Sequence, residues 1–207
     1  MDGGILSKQI QLNLWARGFP ALNLRECSDD FQPFCAALAN AVDNNVYGPY
    51  VDKHSPEELR TANVKAFLSE NKMAGIAVWP NGNIRAVFND KRSPFRKAIG
   101  ELMLTALSAG GNRLDCFDGF LSVLYPMFGF IPVSRVMFDP RFAPEGWREE
   151  FRTPDIIFFR HCGDSPEKVA CSIGDYPECG QADLLRIPYF ASYEEARKFR
   201  DDNMAGR

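Results

Sequence analysis

The chain has 207 residues, of which 45% are hydrophobic and 25% charged, with a formal net charge of −3. That length suits one domain with a small appendage, and the slight acidity excludes a chain built as a whole to coat nucleic acid or an anionic membrane. No run approaches the ~20 apolar residues that span a bilayer. MDGGILSKQI at the start lacks the basic stretch and apolar run of a secretory signal, so a cytoplasmic location is expected.

The first pattern, QIQLNLW (9–15), alternates like a strand but also suits a helical lead-in. ALNLREC (21–27) reads as a strand with Leu22 and Leu24 on one face. Ser28 then reads as an N-cap with Asp29 and Asp30 in the first turn of a helix over about 29–43. DNNVYGPYVDKH (43–54) is rich in turn formers and breaks the pattern. Ser55, Pro56 and Glu58 make a capping box for a helix expected to run to about Asn71. MAGIAVWPNGNIRAVFND is a β-hairpin around Asn81-Gly82.

Beyond it, Ser93 and Pro94 are expected to cap and open a helix. Phe95, Ile99, Leu102, Met103, Ala106 and Leu107 recur at helical spacing, and Gly110-Gly111 stops it. RLDCF (113–117) is a short strand. FLSVLYPMFGF (120–130) reads as a buried helix, although Pro126 in a helix interior costs about 3 kcal/mol. IPVSRVMFD (131–139) and PDIIFFRH (154–161) are strands separated by a loop containing APEGW. Residues 162–181 read as a loop, LLRIPYF (184–190) as an edge strand, and Ser192 with Glu195 as the cap of a last helix over about 193–204. The chain shows no internal repeat and no low-complexity run.

Lys91, Arg92, Arg96 and Lys97 crowd the start of the expected helix after the hairpin. A helix N-terminus carries about half a positive charge, so four cations there call for an anion. Its unbonded N–H groups favour phosphate, and small residues at Ala98 and Gly100 would allow close approach. The alternative is a solvated basic turn balanced by nearby acids.

The element order over residues 21–161 resembles the GNAT superfamily of acetyl-CoA-dependent N-acetyltransferases. LNLRECSDD stands for its first strand and capped helix. In LYPMFGFIPVSRVMF, Tyr125 precedes Gly129-Phe130 by the family's four-residue spacing, and PDIIFFR matches its closing strand. The family's phosphate loop, Gln/Arg-x-x-Gly-x-Gly/Ala, corresponds to FRKAIG. Here Phe95 takes the Gln/Arg position, Arg96 comes one place late, and Ala98 and Gly100 stand for the small residues.

The resemblance implies an α/β fold with a mixed, splayed sheet flanked by helices. Residues 1–161 would form the acyltransferase domain and 162–207 a small C-terminal extension. It implies acetyl-CoA as co-substrate. Its pantetheine arm would pair with the backbone of Ala86, Val87 and Phe88, on a strand diverging from 113–117. Its phosphates would meet Arg92, Arg96, Lys97, Ala98 and Gly100. Tyr125 would protonate the leaving thiolate, with Pro126 aiming it; the alternative is a core tyrosine. Asp118 is the preferred candidate base ahead of Asp115, Glu101 and Asp90, and helix capping is its alternative role. Tyr47, Tyr50, Asp52 and His54, with Trp147, are expected to shape the acceptor pocket, or else to be surface loop.

The acceptor is expected to be an amine, on a small molecule or a macromolecule. A modified nucleobase, as used by some phage-encoded relatives, is the alternative acceptor, and a degenerate fold kept as a binding module is the non-enzymatic one. Net charge −3 weighs against duplex DNA. His161, Cys162, Cys171 and Cys179 lack paired C-x-x-C spacing, so reduced thiols and no metal are expected.

Overall fold

A computed structural model describes residues 5–28, 30–143, 147, 152–176, 184 and 186–205. The fold is mixed α/β, and its contacts divide the chain into two compact units, Met1–Asn112 with Ser165–Cys171, and Arg113–Asp164 with Ser172–Arg207.

In the first unit, α1 (Lys8–Ala16) resolves the ambiguity of QIQLNLW in favour of helix. Ser7 Oγ accepts from the Ile10 N–H at 3.4 Å, and Ile10 and Leu14, one turn apart, are buried. The expected strand over 21–27 shrinks to β1 (Arg25–Glu26). The physical reason lies in Asn23, which has a φ of 52°, and in the Leu22 and Leu24 N–H groups, which bond a side chain instead of a ladder. Helix α2 (Gln32–Asp43) starts later than expected, because the Asp30 carboxylate accepts from the Gln32 N–H at 2.9 Å.

Helix α3 (Pro56–Thr61) opens with the expected capping box but stops ten residues early. Asn63 turns left-handed at φ 51°, the Val64 N–H returns to the Leu59 carbonyl at 3.0 Å, and Lys65–Leu68 becomes strand β2. The hairpin follows as β3 (Ala74–Val78) and β4 (Ile84–Asn89), with Gly82 at φ 81° in its turn. The sheet order is β1-β2-β3-β4, antiparallel throughout. Helix α4 (Ile99–Ser108) begins at Ile99, not at Pro94, because Lys97 at φ 59° interrupts any helix through 95–98. β3 is buried along its whole length and contacts both α2 and α4. Phe34 of α2 meets Phe88 of β4 edge-on at 5.6 Å in the core.

In the second unit, β5 (Arg113–Phe117) leads to α5 (Phe120–Leu124). The proline question is answered here: α5 ends before Tyr125, and Tyr125–Phe128 forms a 3-10 turn whose second residue is Pro126. Gly129, left-handed at φ 78°, turns the chain into β6 (Phe130–Val136). β7 (Ile156–His161) pairs antiparallel with β5 and β6.

The loop expected at 162–181 contains helix α6 (Pro166–Ser172), seeded by Ser165, whose hydroxyl accepts from the Lys168 N–H at 3.3 Å. The 177–181 end of that loop, with Cys179, lies outside the described residues. The expected edge strand is β8 (Tyr189–Phe190), parallel to β6, so the second sheet runs β5-β7-β6-β8. Helix α7 (Tyr193–Asp202) packs Ala196 against Val136 and Phe158. Most of the C-terminal extension is thus integral to the second unit.

Candidate ligand site at the bulged edge strand

β4 ends the first sheet, and it is bulged. Gly75 pairs with Phe88 and Ala77 with Arg85, so Ala86 and Val87 together oppose Ile76. Ala86 carries the bulge at φ 50°, a conformation unusual for a residue with a side chain. A bulge leaves one residue out of the ladder and turns its backbone groups aside. In an edge strand those groups suit an extended ligand lying alongside.

The strand runs directly into the cationic turn. Arg92 is held by Asp90: Nη2 to Oδ2 is 2.6 Å and Nε to Oδ1 is 2.9 Å. This fork holds the Asp90 carboxyl below its usual range and raises the already high value of Arg92. The acid-balanced alternative therefore describes Arg92. It does not describe Arg96, which is exposed and has no ion-pair partner among the described residues. Lys97 is exposed, with Nζ 5.9 Å from the centre of the Phe19 ring. The α4 N-terminus behind them has no side-chain cap.

The two small residues have a packing role. Ala98 is buried, and a Cβ on Gly100 would lie 2.3 Å from the Phe19 ring. Gly100 is thus small because Phe19 crosses α4 there.

Among the expected acceptor residues, Tyr47 and Tyr50 meet edge-on at 5.7 Å around the Gly48–Tyr50 3-10 turn. Asp52 is exposed, and His54 lies against Trp79 at 5.2 Å. Burial lowers the pKa of His54, and its Nε2 has no hydrogen-bond partner among the described residues.

The remaining expected residues belong to the second unit. Tyr125 is buried between Phe130 and Phe159, with ring centres at 6.3 and 6.0 Å. That apolar setting, with Cys116 and Asp115 nearby, pushes its hydroxyl pKa well up, so it holds its proton more tightly than an ordinary tyrosine. Asp118 accepts from the Ser122 hydroxyl at 2.7 Å, and Ser122 Oγ accepts from the Gly119 N–H at 3.1 Å, an arrangement that organises the start of α5. Trp147 stacks on Phe138 at 4.7 Å and donates to the Arg152 carbonyl at 3.2 Å. His161 uses both ring nitrogens internally: Nδ1 accepts from the Gly163 N–H at 3.2 Å, and Nε2 is 3.1 Å from the Phe128 carbonyl. No group of three or more His, Cys, Asp or Glu suited to a metal occurs among the described residues.

The bulge escaped sequence reading because Ala86 and Val87 carry no turn signal. No protein-family model matches the chain, and no curated protein sequence matches it. Among solved structures, the chain is similar to an acetyltransferase of the GNAT family from Staphylococcus aureus Mu50, at 11% identity and a TM-score of 0.33. That match covers 67% of this chain and 98% of the other. No helix among the described residues is long and apolar enough to cross a membrane.

Proposed function

We propose that the chain is an acyltransferase that moves an acyl group, acetyl being the simplest, from a coenzyme A thioester to an amine. The observation that carries this reading is the continuity, within residues 84–100, of a bulged edge strand, a cationic turn and an uncapped helix N-terminus. The pantetheine arm is an extended chain with amides that pair as a strand would. The phosphates match Arg96 and Lys97 and the α4 dipole. The sequence resemblance of 21–161 supports the same reading.

In the reaction the amine nitrogen attacks the thioester carbonyl carbon. A C–N bond forms, the C–S bond breaks, the nitrogen loses a proton and the leaving thiolate takes one up. A thiol of pKa near 8.5 needs little help in leaving at neutral pH. Tyr125 as the proton donor is tested by Tyr125→Phe. A donor's loss lowers turnover about 10²–10⁴-fold with coenzyme A affinity unchanged, whereas a core residue's leaves the rate intact.

Calorimetry with coenzyme A, followed by thiol release from acetyl-CoA over a panel of amines and amino-nucleosides, tests the whole reading. Binding is expected to weaken with salt and by about tenfold in Arg96→Ala combined with Lys97→Ala. Absence of coenzyme A binding overturns the reading. The Arg92–Asp90 pairing favours a second reading, a binding module without turnover, and binding with no thiol release from any amine would establish it.

A further inference from the structure

Helix α4, IGELMLTALS, is apolar apart from its exposed last residue, Ser108, and from Glu101 and Thr105, which are one turn apart on one face and both buried, at 9% and 0% exposure. Both line a cavity of about 780 Å³ bounded by α1, residues 19–25 and α4, all in the first unit. That volume falls in the range of about 300–1,000 Å³ typical of small-molecule sites.

Glu101 has an evident structural task. Oε2 accepts from the Leu22 N–H at 2.6 Å and Oε1 from the Leu24 N–H at 3.4 Å, which pins the segment leading to β1. The task is incomplete in two ways. With the Asn23 N–H donating as well, the carboxylate still has room for a further hydrogen bond, and no cation pairs with Glu101 among the described residues. Burial accordingly pushes its pKa up, partly offset by the backbone donors. Thr105 is more telling. A helical threonine commonly returns its hydroxyl to the carbonyl four residues back, but Thr105 Oγ1 is buried with no partner among the described residues.

The rest of the lining is mixed: Leu6, Leu14 and Phe19 are buried in its wall, while Lys8, Gln11, Asn23, Arg25 and Glu70 add polar and charged groups. Leu12 and Trp15 line it too, yet are 55% and 76% exposed, so the apolar lining reaches solvent. The Arg25–Glu70 ion pair among the exposed lining groups is balanced in charge.

We propose that this cavity binds a small primary amine with an aryl or alkyl body. The ammonium would sit beside Glu101 and Thr105, and the apolar body against Phe19 and Trp15. An ammonium supplies the missing countercharge and three donors, enough for the Glu101 carboxylate and the Thr105 oxygen together. Aromatic faces at the wall are compatible with the same charge. None of the residues expected to hold coenzyme A lines the cavity, so the proposal stands independently of acyl transfer.

The test is calorimetry on the full chain with 4-phenylbutylamine, 4-phenylbutanol and 4-phenylbutyrate, which share a body and differ in head group. The amine is expected to bind with Kd on the order of 1 mM or tighter, and the carboxylate at least about tenfold more weakly. Glu101→Gln should weaken the amine about tenfold or more, and Thr105→Val, which keeps shape and fold, several-fold. Absence of amine binding up to about 20 mM, equal affinity for amine and carboxylate, or unchanged amine binding in Thr105→Val overturns the proposal. Should Glu101→Gln fail to fold, the head-group series and Thr105→Val decide by themselves.

Discussion

Arg200 and Glu101 are both buried ionisable side chains, one in each unit, and their surroundings are opposite. Arg200 is 1% exposed and fully engaged. Its Nε donates to Asp201 at 2.9 Å, Nη1 lies 3.3 Å from the Leu114 carbonyl and 3.6 Å from Asp115, and the guanidinium sits over the Phe158 ring at 5.6 Å. Glu101 meets backbone amides only and faces a cavity. A buried charge with a complete set of partners is architecture, and it ties α7 to β5. A buried charge lacking a countercharge costs stability unless something else supplies one. Arg200 thus serves the cohesion of the second unit, whereas Glu101 leaves the first with a buried carboxyl that has no countercharge among the described residues.

Removing the engaged charge should have the largest effect. Arg200→Met removes the cation that Asp115 and Asp201 share, but Asp201 keeps Arg113 at 3.0 Å and both carboxylates are partly exposed, so a loss of about 2–3 kcal/mol is expected, at or below the low end for a broken buried pair. Urea unfolding measures it, and a loss under about 1 kcal/mol would erase the contrast between the two sites. Next in size is Gly100→Ala. The new methyl meets the Phe19 ring, costing about 1–3 kcal/mol, while up to about 1 kcal/mol returns through helix propensity. A net loss of about 1–2 kcal/mol is expected, and a stabilised variant would mean that Phe19 yields and the cavity wall is soft.

Thr105→Val removes an unpartnered buried hydroxyl, so thermal unfolding should show a gain of about 1 kcal/mol. No gain would show that the hydroxyl already has a partner.

The smallest effect is the pH dependence of Glu101. Its folded pKa is raised, so between the ordinary value of 4.5 and that raised value the native state holds a proton that the unfolded chain has lost. Its contribution is therefore present below pH 4.5 and lost as pH rises through the folded pKa. Relative to Glu101→Gln, the wild type should lose stability over that window. A flat difference between the two proteins, measured by urea midpoints from pH 4.5 to 8, would contradict the burial of an uncompensated carboxyl.

Much of the fold was legible where a local signal decided the structure. Asn81-Gly82 between β-branched runs specified the hairpin, Ser55 and Glu58 specified the start of α3, and the tyrosine, glycine and phenylalanine of 125–130 marked the turn into β6. Legibility failed where a residue without a turn signal adopted positive φ. Lys97 displaced the start of α4, and Ala86 created the bulge. It failed again in KAFL, whose apolar run suits helix and strand equally until β3 supplies hydrogen-bonding partners.

The candidate site divides in the same way. The cationic cluster was visible, but the Arg92–Asp90 fork and the Phe19 contact with Gly100 were not, since both depend on side-chain directions. The polar pair in IGELMLTALS, spaced one turn apart on an apolar helix, was a signal that could have pointed to the cavity.

By itself the sequence determined the order of most elements, the hairpin and the concentration of positive charge after it, because capping, turn chemistry and periodicity act within a few residues. Only the tertiary structure decided that β4 is a bulged edge, that Tyr125 is enclosed by Phe130 and Phe159, and that Glu101 and Thr105 share a cavity with α1. Those outcomes depend on which distant groups meet, and hydrogen-bond satisfaction and burial are settled only when they do.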